Sequence, residues 1–277
     1  MHCRSARILI PIELLGDELD FDLDKREKKI FQMIKATQSR GKHSLRNAWY
    51  HLERGWAIRE IDPAMAMFRG ITAEEEAATG LIYAVRDRKY DNANLLNPWN
   101  HIHKHSINSF FDLLSDFFVE SIEPIFKVGI KLGSVDDPNR LKIYIPMIVN
   151  GEEKYAIPDP PLNLNITVGG KPISFKRQMN KLTKLANLKN IKQIEKYIAN
   201  NANERNKLLY AAGQGYPHVE SVKDDFFFYQ KQKVLKMAYA YLLIEPYKEK
   251  QPFVQQAIDS LLKMLGKIES AHLNDQI

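Results

Sequence analysis

Residues 63–88, PAMAMFRGITAEEEAATGLIYAVRDR, decide how the chain is read. Met67, Phe68, Ile71, Ala78, Leu81, Ile82 and Val85 recur at offsets of three and four, the spacing that lines up one face of an α-helix. Pro63 suits the first turn, where a missing N–H costs nothing. The stretch predicts a long amphipathic helix with one awkward feature, Glu74-Glu75-Glu76 in its middle. Glu74 lies three residues after Ile71 and four before Ala78, and Glu75 lies four after Ile71 and seven before Ile82. At least one of these two carboxylates therefore points toward the apolar side, where an unpaired charge is costly.

The partner is expected on the next helix. Past the turn-rich residues 89–98, a stripe of Trp99, Ile102, His103, Phe110, Leu114 and Phe117 predicts a helix that Pro124 closes. His103 sits on that stripe with Lys104 beside it, so Glu74 and Glu75 are expected to pair with His103 or Lys104 across the two helices. On the N-terminal side, Lys25 to Arg40 reads as a helix ended by Gly41. A second runs from Ser44, an N-cap candidate, through Leu45, Trp49, Leu52 and Trp56 to Ile61.

Downstream the period changes to two. Phe126, Val128, Ile130 and Leu132 alternate with Lys127, Gly129 and Lys131, and Leu141 to Val149 alternates likewise. Asn150-Gly151, ahead of Lys154 to Ile157, is a hairpin signal, and Gly169-Gly170 between Leu164–Val168 and Lys171–Phe175 is a second. A small sheet of four or five antiparallel strands is expected. Helical spacing returns from Lys176, with further helices over 202–212, 221–244 and 252–270. The predicted class is α+β, mainly α: a helical bundle, a small antiparallel β-sheet in the middle of the chain and further helices at the C-terminus. Its regions are 1–124, 125–175 and 176–277, packed together as one or two domains, because about 50 residues of short strands are marginal alone.

Composition narrows the function. With 277 residues, 44% apolar and 27% charged, the chain has material for a core, and disordered, collagen-like and disulfide-scaffold classes are excluded. Its one cysteine, Cys3, cannot bridge internally or build a thiolate metal site, which suits a reducing cytosol. No apolar run approaches a membrane span, so a soluble, cytoplasmic protein is expected. Residues 1–12 are basic and then briefly apolar and lack a full signal-peptide core, which reads as a strand or docking segment. Gly170-Lys171-Pro172 does not complete a phosphate-binding loop, and GxGxxG, GxSxG and HExxH are absent.

Two features suit a polyanionic partner. Residues 171–207 hold ten Lys and Arg against two Glu, a local +8 beside the chain's +6. Lys181, Lys184, Lys189, Lys192 and Arg205 within it are candidate nucleic-acid contacts. Arg46-Asn47-Ala48-Trp49-Tyr50-His51 places an arginine and a histidine five positions apart, roughly 140° around a helix, so they converge only across a groove or an oligomer interface. Histidine can move a proton near neutral pH, and arginine can stabilise phosphate charge. His101 and His105, at i and i+4, have the spacing to share a metal, but no other ligand has a recognisable place, and no metal or cofactor is assigned.

Through Arg46-Asn47 with His51, the acidic pair in an alanine-containing helix and His103-Lys104, residues 44–105 resemble the helical HEPN superfamily, and within it the AbiV-type abortive-infection proteins. The resemblance implies a dimerising bundle, often a metal-independent ribonuclease, with Arg46 as phosphate stabiliser, His51 as acid/base or nucleophile and Asn47 as polar neighbour. The expected function is an RNA-binding protein, with ribonuclease activity in prokaryotic defence or stress response, acting as a homodimer and held in check by a neutralising protein. The alternative is a non-enzymatic binding or scaffold protein recognising a protein or small ligand.

Overall fold

The computed structural model describes residues 21, 23–121, 129–132, 140–164, 167–168, 171–172, 208 and 219–274. In chain order its elements are α1 (Lys25–Ala36), α2 (Gly41–Ile58), α3 (Pro63–Asp87), a 3-10 turn (Ala93–Leu95), α4 (His101–Ser121), β1 (Gly129–Leu132), β2 (Leu141–Val149), β3 (Glu152–Ala156), β4 (Thr167–Val168), β5 (Lys171–Pro172), α5 (Asp224–Ile244) and α6 (Pro252–Asn274). The chain is α+β and mainly α, with the small sheet in mid-chain and helices after it.

α3 is the axis of the bundle and packs against α2, α4 and α5. Asp62 caps it, its carboxylate accepting from the Met65 N–H at 3.0 Å, and Pro63 opens the first turn. The expected stripe is inside from Ile71 to Val85, but so is a second face of small residues, Ala66, Gly70, Ala73, Ala77 and Ala84. Alanine lets neighbouring backbones come close, so a helix that reads as amphipathic is wrapped on most sides.

The N-terminal helix boundaries differ from those expected. α1 ends at Ala36, where Thr37 Oγ1 donates to the Ile34 carbonyl at 2.8 Å, instead of running to Arg40. Gly41 starts α2 rather than ending α1, and Ser44 is not the N-cap; the Gly41 N–H donates instead to Ser39 Oγ at 3.1 Å. The glycine is required by packing, since a Cβ on Gly41 would collide with the Gly80 carbonyl on α3, and one on Gly80 would lie 2.9 Å from the Gly41 carbonyl. This crossing brings Leu45 and Leu52 fully inside, each worth roughly 1.5–3 kcal/mol of burial. α2 stops at Ile58, short of Ile61, because Asp62 is already capping α3.

The strands form a three-stranded antiparallel sheet in the order β1-β2-β3 and a separate two-stranded ladder of β4 and β5, not one sheet of four or five strands. In the second ladder Thr167 pairs with Pro172 and Val168 with Lys171. Asn150 and Gly151, at φ 54° and 79°, make the expected tight hairpin between β2 and β3. Only the first half of β2 is core: Leu141 and Ile143 are buried, while Ile148 and Met147 at the hairpin end face outward. The Tyr247 hydroxyl donates to the Leu141 carbonyl and Arg26 Nη2 to the Ile130 carbonyl, which fastens the sheet to the helices. Among the described residues one apolar cluster joins α1 to α4, β2, α5 and α6, so the sheet shares the helical core. Of the expected helix over 202–212 only Leu208 is described, and the helical stretch expected from Lys176, the segment 1–12 and the side chain of Phe117 lie outside the described residues.

Candidate functional site

A buried charge cluster forms where α3, α4 and α5 meet. Glu74 and Glu75, consecutive on α3, are both inside, 1% and 3% exposed. Glu75 Oε2 receives Lys104 Nζ at 2.9 Å, as the sequence predicts, and Glu75 Oε1 lies 2.8 Å from His101 Nδ1. Glu74 Oε2 receives Lys233 Nζ of α5 at 2.8 Å. His105 is wedged between the carboxylates, Nδ1 3.5 Å from Glu74 Oε1 and Nε2 3.1 Å from Glu75 Oε1. Both contacts are at the long end of hydrogen-bond range, and charge attraction acts alongside them.

Of the two expected partners, Lys104 makes the ion pair with Glu75, and His103 lies on another side of α4. One position along a helix is about 100° of rotation, enough to turn His103 away from His101, Lys104 and His105. Its Nδ1 accepts instead from the Asn97 N–H at 3.0 Å, bracing the approach to α4. Trp99 is likewise not on the α4 stripe: it precedes the helix and is 79% exposed, its N–H held by Asn97 Oδ1.

The cluster sets its own protonation. Burial alone would push Glu74 up, but Lys233 beside it, with His105, holds it down to about 2. Burial is outweighed in the same way at Glu75, which His105 and Lys104 hold well below the usual carboxylate range. For His105 burial acts downward, and its hydrogen bonds and charge attraction to the two glutamates overcome it, raising the ring to about 9. At neutral pH two carboxylates thus face charged His105, Lys104 and Lys233. A group locked charged is a poor proton shuttle, so His105 is a structural cation. His101 is different: its ring is 47% exposed while its Nδ1 meets a buried carboxylate. A carboxylate on Nδ1 fixes the orientation of the ring.

The Arg46 region is separate. Arg46 and Asn47 are exposed on α2, and among the described residues neither makes an ion pair or a side-chain hydrogen bond. His51 is half-buried and meets not Arg46 but Arg69 of α3, whose Nη1 lies 3.4 Å from His51 Nδ1. Burial and the Arg69 charge together lower the His51 pKa, so the ring is neutral at physiological pH. With Arg69 as donor, Nδ1 is the acceptor and the ring proton sits on Nε2. Tyr50, 47% exposed, stands beside His51 with ring centroids 6.2 Å apart, and Arg54 packs over the Tyr50 ring at 5.1 Å. Asn47, Tyr50, His51 and Arg54 follow i, i+3, i+4 and i+7, one helix face, with Arg46 one turn before Tyr50 and Glu53 the acidic exception.

Lys181, Lys184, Lys189, Lys192 and Arg205 lie outside the described residues. The residues that sequence reasoning missed are Lys233, the ion-pairing role of His101 and His105, and Arg69. Each left a trace: Lys233 sits beside Val234 and Leu235 in a largely buried helix, and Arg69 is the one cation between Pro63 and Val85. Among the described residues no group of three or more His, Cys, Asp or Glu side chains has the arrangement of a metal site, and no helix is long and apolar enough to cross a membrane. Compared with known families, characterised proteins and solved structures, the chain has no match.

Proposed function

We propose that the protein binds RNA on the exposed face of α2. The observation that carries this reading is the face itself, where Arg46, Arg54 and the nearby Arg69 surround Tyr50 and His51. Arginines would contact phosphates, and an exposed tyrosine gives a base a surface for stacking, a combination typical of single-stranded nucleic-acid binding. His51, neutral with its proton on Nε2, would add a hydrogen bond to a phosphate oxygen. The resemblance to HEPN proteins supports the same partner and adds a second copy of the chain meeting along this face.

A second reading keeps RNA as the partner and puts metal-independent cleavage at His101. The 2.8 Å Glu75–His101 contact beside exposed Trp99 favours it, because His51 spends its proton-accepting nitrogen on Arg69 while His101 has a buried carboxylate behind it.

The test is fluorescence anisotropy with a short single-stranded RNA at two salt concentrations, together with cleavage of the same RNA in EDTA. Arg46→Ala and Arg54→Ala should weaken binding and flatten its salt dependence, and Tyr50→Ala should cost about 1–3 kcal/mol. Affinity unchanged in all three folded variants would remove the α2 face as the site. Cleavage lost in His101→Ala but kept in His51→Ala would assign the chemistry to α4, and the reverse pattern to α2.

A further inference from the structure

The charged cluster and the α2 face leave an apolar pocket unused among the described residues. Between α3, α4, α5 and α6 lies a pocket of about 160 Å³, partly open to the surface and lined by Ile82, Phe110, Ala240, Leu243 and Ala257, and by Leu162 from the segment after β3, among other apolar side chains. No polar atom faces it. Protein interiors are close-packed, and spaces larger than a water molecule are few. Water is a poor occupant of the pocket's inner wall, which offers none of the two to four polar partners an ordered water needs. Hydrocarbon is a good one: apolar cavities of about 150 Å³ accept a benzene ring.

Two small side chains keep the space open. Ala240 on α5 and Ala257 on α6 line it from neighbouring helices, where a single leucine at either place would occupy much of it. The surrounding core is otherwise built of large residues, including Leu243, Ile258 and Leu261. Charge is excluded, since a carboxylate or amine carried inside would lose its hydration with nothing to replace it.

We propose that this pocket is a binding site for a small neutral hydrocarbon group, a single ring or a chain of about six carbons in length. It stands independently of RNA binding, because none of its lining residues belongs to the α2 face.

Toluene is the probe, added to the full chain, with the methyl resonances of Ile82, Leu243 and Leu162 and the melting temperature as readouts. The expected result is a saturable shift of these methyl signals and a rise in melting temperature. Ala257→Leu, which fills the space, should weaken toluene binding at least tenfold while helical circular dichroism is retained. Should that variant not fold, Ala240→Val is judged by the same criterion. Sodium benzoate, with the same ring and a charge, should leave the signals unmoved. The proposal is overturned by wild-type methyl signals that do not respond saturably to toluene. It is equally overturned by a folded filled variant that binds toluene within twofold of wild type, or by benzoate binding as well as toluene.

Discussion

Arg69 shows how one side chain changes the chemistry of another. It approaches His51 Nδ1 and, with burial, keeps that ring neutral. Arg69→Gln removes the charge while leaving a hydrogen-bonding side chain, so the His51 pKa should rise toward its ordinary value, measured from imidazole proton shifts against pH. Glu74 is the opposite case, a charge the fold requires. Glu74→Gln would leave Lys233 and His105 facing a neutral amide in the interior. Breaking a buried pair in this way costs about 3–5 kcal/mol, read from urea denaturation. A loss below about 1 kcal/mol would mean that solvent reaches the cluster.

At the level of elements, the crossing of α2 and α3 depends on two glycines. Gly80→Ala would set a methyl 2.9 Å from both the Gly41 carbonyl and Leu45 Cγ. The helices must then separate, and about 1–3 kcal/mol of stability should be lost in thermal unfolding. This contact also marks where reading the sequence stops short. Helices with a clean period and a strong start, α3 with Asp62-Pro63 above all, are legible almost to the residue. Gly41 is not, because its role belongs to a carbonyl on another helix and nothing within the local sequence mentions it. The acidic pair was legible as a demand for partners, and Lys104 as one of them. His101, Lys104 and His105 share one face of α4, and a stripe that begins at Trp99 hides that face because the helix begins at His101. Lys233 lies far along the chain and could be found only by asking the same question of α5, whose near-continuous burial hides a helix period. The sheet was legible as alternation and as Asn150-Gly151, but its division into two ladders was not, since alternation does not say which strand pairs with which.

For the whole molecule, the coupled charges predict a stability optimum in mild acid. His105, raised in the fold from its ordinary 6.5 to about 9, stabilises fully below 6.5, and that contribution disappears as pH climbs through 9. Glu74, lowered from 4.5 to about 2, stabilises fully above 4.5 and loses its contribution as pH falls toward 2. His51, held below its ordinary 6.5 by burial and Arg69, works against the fold as pH falls beneath 6.5, so the melting temperature measured across pH should be highest near about 6.5 and fall on both sides. The alkaline fall should vanish in His105→Gln. A flat profile from 6.5 to 9 in the wild type would show that His105 is not held charged.

α5 reaches back to every earlier layer: Lys231 meets Glu27 of α1, Asp224 meets Arg59 just past α2, Lys233 meets Glu74 of α3, and Lys236 meets Asp112 of α4. Glu74 and Lys233 stand 159 residues apart. At the usual pace of translation, about 5–20 residues per second, the glutamate is made roughly 8–32 s before its lysine. The first four helices therefore wait, hydrated and loosely held, until α5 emerges, and a message cut short before that helix yields a chain that cannot seal its own interior.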